Sequence, residues 1–279
     1  MIIVTGATGA LNGAVVDHLL EHLSPSDIVV VARDVAKADR FARRGIEVRR
    51  GDYADRVSLL AAFEGADQLL LVSSSEPAAD AVSLHRAAVD AATTVEVGRI
   101  LYTSHQGAAA ETPFGPGRDH FATEQMLAES GLPWTSLRNG FYAHSLQWLA
   151  GPWRDTGVIA VPADGPVSWT SREDLAEAAA AILLSRGGYD GPTTLTASEA
   201  PTFAALAEAA SELSGLTVRF EVLDEVEWLA AQAAAGQEHM AQFLLGFYRA
   251  AREGFFAGTD PLLGELLGRE PRSARDALA

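Results

Sequence analysis

The sequence predicts an α/β fold built on a doubly wound parallel sheet, and three observations carry that prediction. From residue 2 to residue 137, short β-rich runs alternate with longer amphipathic stretches. The runs are continuously apolar, Ile28-Val29-Val30-Val31 being the clearest, as expected of strands covered on both faces. Each intervening stretch is long enough to cross back over a sheet and begin the next parallel strand.

Taken in order, Ile2 to Thr5 read as the first strand, followed by a glycine-punctuated turn and an apolar-periodic helix to residue 23. Ser24-Pro25-Ser26 stops that helix, since proline has no N–H to give. Strands are expected at 28–32, 46–49, 68–72, 99–103 and 134–137, with helices at 36–43, 57–63, 78–92 and 118–130 between them. The alternation loosens after residue 150. Gly151-Pro152 and residues 162–166 are turn-rich, helices are predicted at 172–184 and 203–214, and a short strand at 218–222. Residues 225–254 read as mostly helical, with Trp228, Phe243, Phe247 and Tyr248 among alanines. The expected organisation is a dinucleotide-binding, Rossmann-type core over 1–150. A smaller, mostly helical substrate lobe over 151–279 packs on it to make one domain overall. Ligand binding is expected beyond the carboxyl ends of the strands.

Composition narrows the function classes. Hydrophobic residues make up 48% and charged ones 21%, which suits a water-soluble globular chain. A net charge of −16 with no Lys/Arg run argues against nucleic acid as a partner. No cysteine is present, so disulfides, thiolate nucleophiles and zinc–thiolate sites are excluded. Met1 leads straight into Ile2-Ile3-Val4, leaving no room for a secretory leader, and no apolar run is long enough to span a bilayer. A cytoplasmic location, with neither membrane nor nucleic-acid partner, is the expectation; monomer and homodimer both stay open. His18 and His22 share a helix face without a suitable carboxylate, and no metal site is expected.

The most informative stretch is Thr5-Gly6-Ala7-Thr8-Gly9-Ala10-Leu11-Asn12-Gly13, between the first strand and the first helix. Glycines there let the backbone turn tightly and bring helix N–H groups against a pyrophosphate. The third glycine of the usual spacing is replaced by Asn12, which either shifts the helix or offers its amide to the phosphates. The second strand ends in Ala32-Arg33-Asp34, with Lys37 one turn on. Arg33 and Lys37 suit the 2′-phosphate of NADPH, whereas a carboxylate there would favour NADH. The other reading makes Arg33 a solvated charge beside a capping Asp34. Asp52 and Tyr53 end the third strand, where adenine would lie, and Ser73, Ser74 and Ser75 end the fourth. Hydroxyl-rich strand ends also suit ordinary turns.

These and further segments resemble the NmrA-like atypical short-chain dehydrogenase/reductases, and within them the NADPH-dependent quinone oxidoreductases and triphenylmethane reductases. The matching pieces are T-G-A-T-G from Thr5, V-A-R-D-x-x-K-A from Val31, G-I-E-V-R-x-G-D-Y from Gly45 and L-L-L-V-S-S-S from Leu69. Y-T-S from Tyr102, T-E-x-M-L-A-x-S-G from Thr123 and L-R-N-G-F-Y from Leu137 complete the first half. Weaker echoes start at Ser171 and Leu266. The resemblance implies that Gly6, Ala7, Thr8, Gly9, Ala10, Leu11, Arg33, Ser73–Ser75, Arg138, Asn139, Gly140, Phe141 and Tyr142 line an NADPH site. It also implies that Asn139, Phe141 and Tyr142 lie near the nicotinamide. By residue type alone, that last segment is equally a strand-exit loop with aromatic packing.

Typical short-chain dehydrogenases use a Tyr-x-x-x-Lys pair as proton donor. The helix here carries His120-Phe121-Ala122-Thr123-Glu124 instead. A quinone accepts hydride readily and its reduced anion is weakly basic, so positioning plus a modest donor, Ser104, Tyr142 or water, is enough. His120 titrates in the right range to donate, but a histidine so placed is read as a surface or packing residue. The expected activity is NADPH-dependent reduction of a quinone or similar planar aromatic acceptor. The alternatives are a dinucleotide-sensing regulator with little turnover and a tailoring enzyme for polycyclic aromatic quinones. Trp148, Trp153, Trp169, Phe255 and Phe256 are more aromatics than a sensor's crevice needs.

Overall fold

A computed structural model describes residues 1–74 and 80–279. Among these the strands are β1 (Ile2–Thr5), β2 (Ile28–Ala32), β3 (Glu47–Arg50), β4 (Gln68–Leu71), β5 (Ile100–His105), β6 (Trp134–Asn139), β7 (Val158–Val161), β8 (Gly191–Leu195) and β9 (Arg219–Val222). Seven of them form one sheet in the order β3-β2-β1-β4-β5-β6-β8, while β7 and β9 pair separately. β1 runs parallel to β2 with Ile3 opposite Val29, and parallel to β4 with Ile3 opposite Leu69. The strand order reverses between β1 and β4, the topological switch point at which doubly wound sheets bind ligands.

Helices α1 (Ala10–Leu19), α2 (Asp39–Ala42), α3 (Arg56–Phe63), α4 (Ala81–Thr94) and α5 (Gly115–Glu129) follow β1 to β5 in turn. Then come α6 (Leu146–Leu149), α7 (Trp153–Thr156), α8 (Arg172–Leu184), α9 (Phe203–Ser214), α10 (Glu225–Ala234), α11 (Glu238–Arg252), α12 (Leu262–Leu267) and α13 (Ala274–Leu278). Caps explain several starts: the side chains of Asp55, Asp80, Thr202 and Asp224 accept the first free N–H groups of α3, α4, α9 and α10. β1 and β2 are buried along their whole length, as their unbroken apolar runs require. β3, at the edge, is half-exposed and charged, which discourages pairing with another chain.

The chain forms two compact units, neither of them continuous. Unit 1 comprises Met1–Ser104, Asp119–Arg138 and Arg172–Thr193; unit 2 comprises His105–Arg118, Asn139–Ser171 and Thr194–Ala279. A cut at residue 150 therefore does not describe the partition. Both α8 and β8, whose residues were expected in a second lobe, belong wholly or mostly to unit 1, where β8 extends the sheet beyond β6. Unit 1 is centred on aliphatic side chains such as Ile3, Val29, Leu69 and Ile100, all fully buried. Unit 2 is centred on rings, with Trp169, Phe203, Phe247 and Phe256 at zero exposure. Each such side chain contributes about 2–3 kcal/mol through removal from water.

Other expectations are corrected locally. The helix expected at 36–43 is a 3₁₀ turn over Val35–Ala38 running into the one-turn α2. The long helix at 225–254 is broken by Gly236, whose φ of +74° lies in the left-handed region. β7 lies where no element was expected, between the turn-rich Gly151-Pro152 and residues 162–166. β8 opens Gly191-Pro192, which reads as a loop; an exposed proline is tolerated there because β8 is an edge strand. Among the described residues, no helix is long and apolar enough to cross a membrane, and no group of acidic and histidine side chains could hold a metal ion.

Candidate functional site

The β1–α1 loop in unit 1 is shaped around its backbone. Gly6 has φ +63°, and a Cβ added there would stand 2.5 Å from Val72 Cγ1, so conformation and space both exclude other residues. The Gly9 N–H returns to the Gly6 carbonyl at 2.9 Å, and the Gly9 carbonyl accepts the Gly13 N–H at 3.0 Å. α1 begins after an extended Gly9, with no side-chain cap and no acidic residue in its first turn. That distinguishes it from α3, α4, α9 and α10. Thr8, Gly9 and Ala10 are exposed. An uncapped helix start with open backbone at a sheet's switch point is a place for an anion.

Asn12 departs from the expected role. It is buried, and its Nδ2 donates to the Thr5 carbonyl at 2.8 Å, so the amide is spent inward rather than on a phosphate. Its Oδ1 is buried without a partner. Close approach between helix and loop has moved one place along: a Cβ on Gly13 would lie 2.8 Å from the Ala7 carbonyl oxygen.

At the end of β2, Arg33 and Lys37 are exposed, while the Asp34 carboxylate accepts the Ala36 N–H at 3.1 Å. Asp34 is thus a cap, as the alternative reading had it. The Asp52 carboxylate closes its own turn through the Ala54 N–H at 3.0 Å. The Tyr53 hydroxyl donates to the Val72 carbonyl at 2.8 Å and lies 2.9 Å from Thr5 Oγ1. Burial pushes this phenol well above its ordinary range. Tyr53 therefore fastens the exit of β3 onto the neighbouring strand ends, a bracing role the sequence did not reveal. Beyond β4, the Ser73 N–H donates to Thr103 Oγ1 and the Ser74 N–H to His85 Nε2, at 2.8 and 2.7 Å. Ser75 lies outside the described residues.

Two clusters in unit 1 were not expected. In the first, Glu124 of α5 is 2% exposed and accepts from Ser104 Oγ at 2.7 Å, Ser136 Oγ at 2.6 Å and Arg138 Nε at 3.0 Å. A further Arg138 Nη2 contact makes the ion pair bidentate. Two residues expected at the site are thereby engaged within unit 1. Ser104, 3% exposed, has already given its hydroxyl proton to Glu124, and Arg138 is clamped to the same carboxylate. In the second cluster, His85 of α4 is 1% exposed, with Nδ1 2.8 Å from Thr123 Oγ1 and 3.4 Å from the hydroxyl of the fully buried Tyr102. The Tyr102 hydroxyl is 2.8 Å from Nδ1 of the half-buried His120. Burial holds the His85 imidazole down to about 4 and pushes the Tyr102 phenol up. His120 is thus no mere surface residue. His85 had one visible signal: it shares the apolar stripe of α4 with Ala88, Val89 and Ala92.

Unit 2 holds the last residue of β6 and the segment after it. Asn139 is 2% exposed and its Oδ1 is buried with no partner. A Cβ on Gly140 would fall 2.2 Å from Thr170 Oγ1, so only glycine fits. Phe141 is a core ring, 4.5 Å from Phe247 and 5.5 Å from Trp169 by centroid, which favours its packing role over a ligand contact. Tyr142 is half-buried and stacks on His144. His105, held down to about 4 by burial, packs among Phe114, Phe141 and Phe256. Of the aromatics counted towards an enzyme, Trp153, Trp169 and Phe256 are core, while Trp148 is half-exposed.

Comparison with known proteins agrees with this fold. The model of the NmrA-like family matches residues 1–249. Quinone oxidoreductase 2 of Escherichia coli (strain K12) is 35% identical, the match covering 100% of this chain and 98% of that protein. An NAD(P)H azoreductase from Xenophilus azovorans is 30% identical, covering 98% of this chain and 95% of its own. The crystal structure of the Escherichia coli NADPH-dependent quinone oxidoreductase complexed with NADPH superposes with a TM-score of 0.91 at 34% identity, over 100% of this chain and 98% of that one. The Citrobacter sp. triphenylmethane reductase complexed with NADP(H) gives 0.87 at 32% identity, over 100% and 99%. With a family match that starts at residue 1 and full-length relatives above 30% identity, this chain belongs to the NmrA-like family.

Proposed function

We propose that this chain is an NADPH-dependent oxidoreductase that reduces quinones and similarly conjugated planar acceptors, working without a Tyr-x-x-x-Lys pair. The observation that carries the reading is the uncapped start of α1 behind Gly6, in a chain whose full-length relatives are named for NAD(P)H-dependent reduction. The open N–H groups of the loop fit a pyrophosphate. The exposed Arg33 and Lys37 fit a 2′-phosphate, and Asp34, engaged as a cap, is not placed to reject one. When bound, the dinucleotide supplies the hydride. The chain's own part in unit 1 is to hold the anionic half at the loop and to select the phosphorylated ribose through Arg33, while the resemblance assigns Asn139 and Tyr142 to the nicotinamide half. The absence of a strong acid in the Tyr-x-x-x-Lys position supports an acceptor whose reduced anion is weakly basic.

The test is NADPH oxidation at 340 nm with benzoquinones and naphthoquinones, against an enzyme-free blank. Turnover is expected. Asn139→Ala and Tyr142→Phe should lower it more than they lower NADPH affinity, because proximity at the reacting carbon supplies several kcal/mol of the barrier. Tight NADPH binding with no acceptor reduced would assign the chain to dinucleotide sensing instead. Reduction of simple ketones but not quinones would refute the argument from the missing pair.

A further inference from the structure

We propose that Arg40 is a second guanidinium for the 2′-phosphate of NADPH, seated against α1 by the glycine that Asn12 displaces to position 13; this rests on the dinucleotide placement proposed above. In a doubly wound sheet the pyrophosphate meets the start of the first helix, and the ribose 2′ position meets the end of the second strand. The adenosine ribose therefore bridges α1 and the segment that follows β2. Arg40 joins the same two places, both within unit 1. It belongs to α2, three residues beyond the exposed Lys37, and its side chain reaches across to α1.

Three contacts hold that side chain. Nη1 donates to Asp17 Oδ2 of α1 at 2.9 Å, and the other oxygen of Asp17 accepts from Arg44. The guanidinium carbon stands 4.0 Å from the ring centroid of the fully buried Phe41. Nη2 faces Gly13, where an added Cβ would lie 2.7 Å from it and 2.8 Å from the Ala7 carbonyl oxygen. In the usual spacing the glycine stands at position 12, and position 13 is free to carry a side chain, which would push the guanidinium off the helix. Glycine one place along opens a seat for it beside the loop. An arginine already fixed in this way loses little side-chain freedom when an anion arrives.

The charge distribution points the same way. Residues 33–44 hold five of the chain's 21 lysines and arginines but only two of its 37 acidic residues. A chain of net charge −16 repels a polyanion on average, and this segment reverses the sign locally. Its two carboxylates are engaged: Asp34 caps the turn, and Asp39 pairs with Arg43 at 2.9 Å. Arg40 keeps half of its side-chain surface exposed despite its contacts, so an anion can reach it.

The experiment titrates NADPH and NADH calorimetrically into wild type, Arg40→Met, Arg40→Lys and Asp17→Asn, with 2′,5′-ADP and 5′-AMP as probes of the adenosine end alone. Methionine keeps a stem on Phe41 and drops the charge. NADPH and 2′,5′-ADP should bind Arg40→Met about three- to tenfold more weakly, while NADH and 5′-AMP stay nearly unchanged. Lysine keeps the charge and should recover part of the loss. Asp17→Asn still accepts from Nη1 but removes a negative charge, so NADPH should bind it at least as tightly as wild type. An arginine that merely ties α2 to α1 would instead make Arg40→Met and Asp17→Asn weaken all four ligands alike. That pattern, or an NADPH-over-NADH preference unchanged in Arg40→Met, overturns the proposal. Should Arg40→Met fail to fold, Arg40→Lys carries the test through the same split between NADPH and NADH. Wild type that binds NADPH and NADH equally refutes the 2′-phosphate placement first, an outcome distinct from a selective wild type whose selectivity survives Arg40→Met intact.

Discussion

Replacing His85 by glutamine should flatten the acid side of the stability profile. The imidazole is 1% exposed, accepts the Ser74 N–H at 2.7 Å, and is held by burial down to about 4 from an ordinary 6.5. Below pH 6.5 the unfolded chain takes up a proton that the folded chain refuses. The stability this group contributes is therefore complete above pH 6.5, drains away as pH falls from 6.5 towards 4, and reaches its floor below that. Across the whole window the loss is about 3 kcal/mol, of which about 2 kcal/mol is gone by about pH 5. Against a total of about 5–15 kcal/mol for a typical protein, that is a large fraction. A glutamine amide oxygen can accept the same N–H without ever taking a proton. The variant should be less stable than wild type at neutral pH by about 1–2 kcal/mol, through lost packing and the Thr123 contact. That gap should narrow by about 2 kcal/mol between about pH 7.5 and pH 5. Urea midpoints followed by circular dichroism at each pH measure it. His105, depressed in the same way in unit 2, is common to both proteins and cancels. Parallel curves for variant and wild type would show that His85 is not the group resisting protonation.

Arg33→Ala should weaken NADPH binding by about tenfold to a hundredfold, the worth of one charge-assisted contact, and leave NADH nearly unaffected. Titration calorimetry with both cofactors checks this, and equal affinities for the two in wild type would remove Arg33 from the site. Gly9→Val should keep the fold, since Gly9 has an ordinary negative φ and an added Cβ would stand 3.3 Å from the Gly6 carbonyl oxygen. It should nonetheless abolish dinucleotide binding by filling the approach to the α1 N–H groups. Native circular dichroism together with unaltered quenching of tryptophan fluorescence by NADPH would place the phosphates elsewhere.

What could be read in advance was what depends on neighbouring residues. β2 was legible because four consecutive β-branched residues have few alternatives, and α9 because Thr202 caps its start and Gly215, at φ +70°, ends it. The tight turn between β1 and α1 was legible for the same reason, since Gly6 and Gly9 shape it through their own backbone. The His85, Tyr102 and His120 cluster was not, because its members come from α4, β5 and α5 and meet only in the folded unit. The bond from Ser104 to Glu124 was not legible either, because nothing near Ser104 in sequence announces a partner twenty positions away. β8 was hidden by Gly191-Pro192, a pair that signals a turn unless the strand lies at a sheet edge.

The interleaving of the two units also bears on how the chain is made. A ribosome delivers β1 to β5 first, then part of unit 2, then α5 and β6, more of unit 2, and only afterwards α8 and β8. The side-chain amide of Gln68 on β4 donates to the carbonyl of Leu183 on α8, a partner synthesised 115 residues later. In unit 2, Arg154 reaches the carbonyl of Leu278, 124 residues downstream. Until that late sequence emerges, early strands wait with an unpaired edge, the condition under which nascent chains aggregate. Such long-range closures slow folding, and a translation product stopped before Thr193 contains neither unit whole.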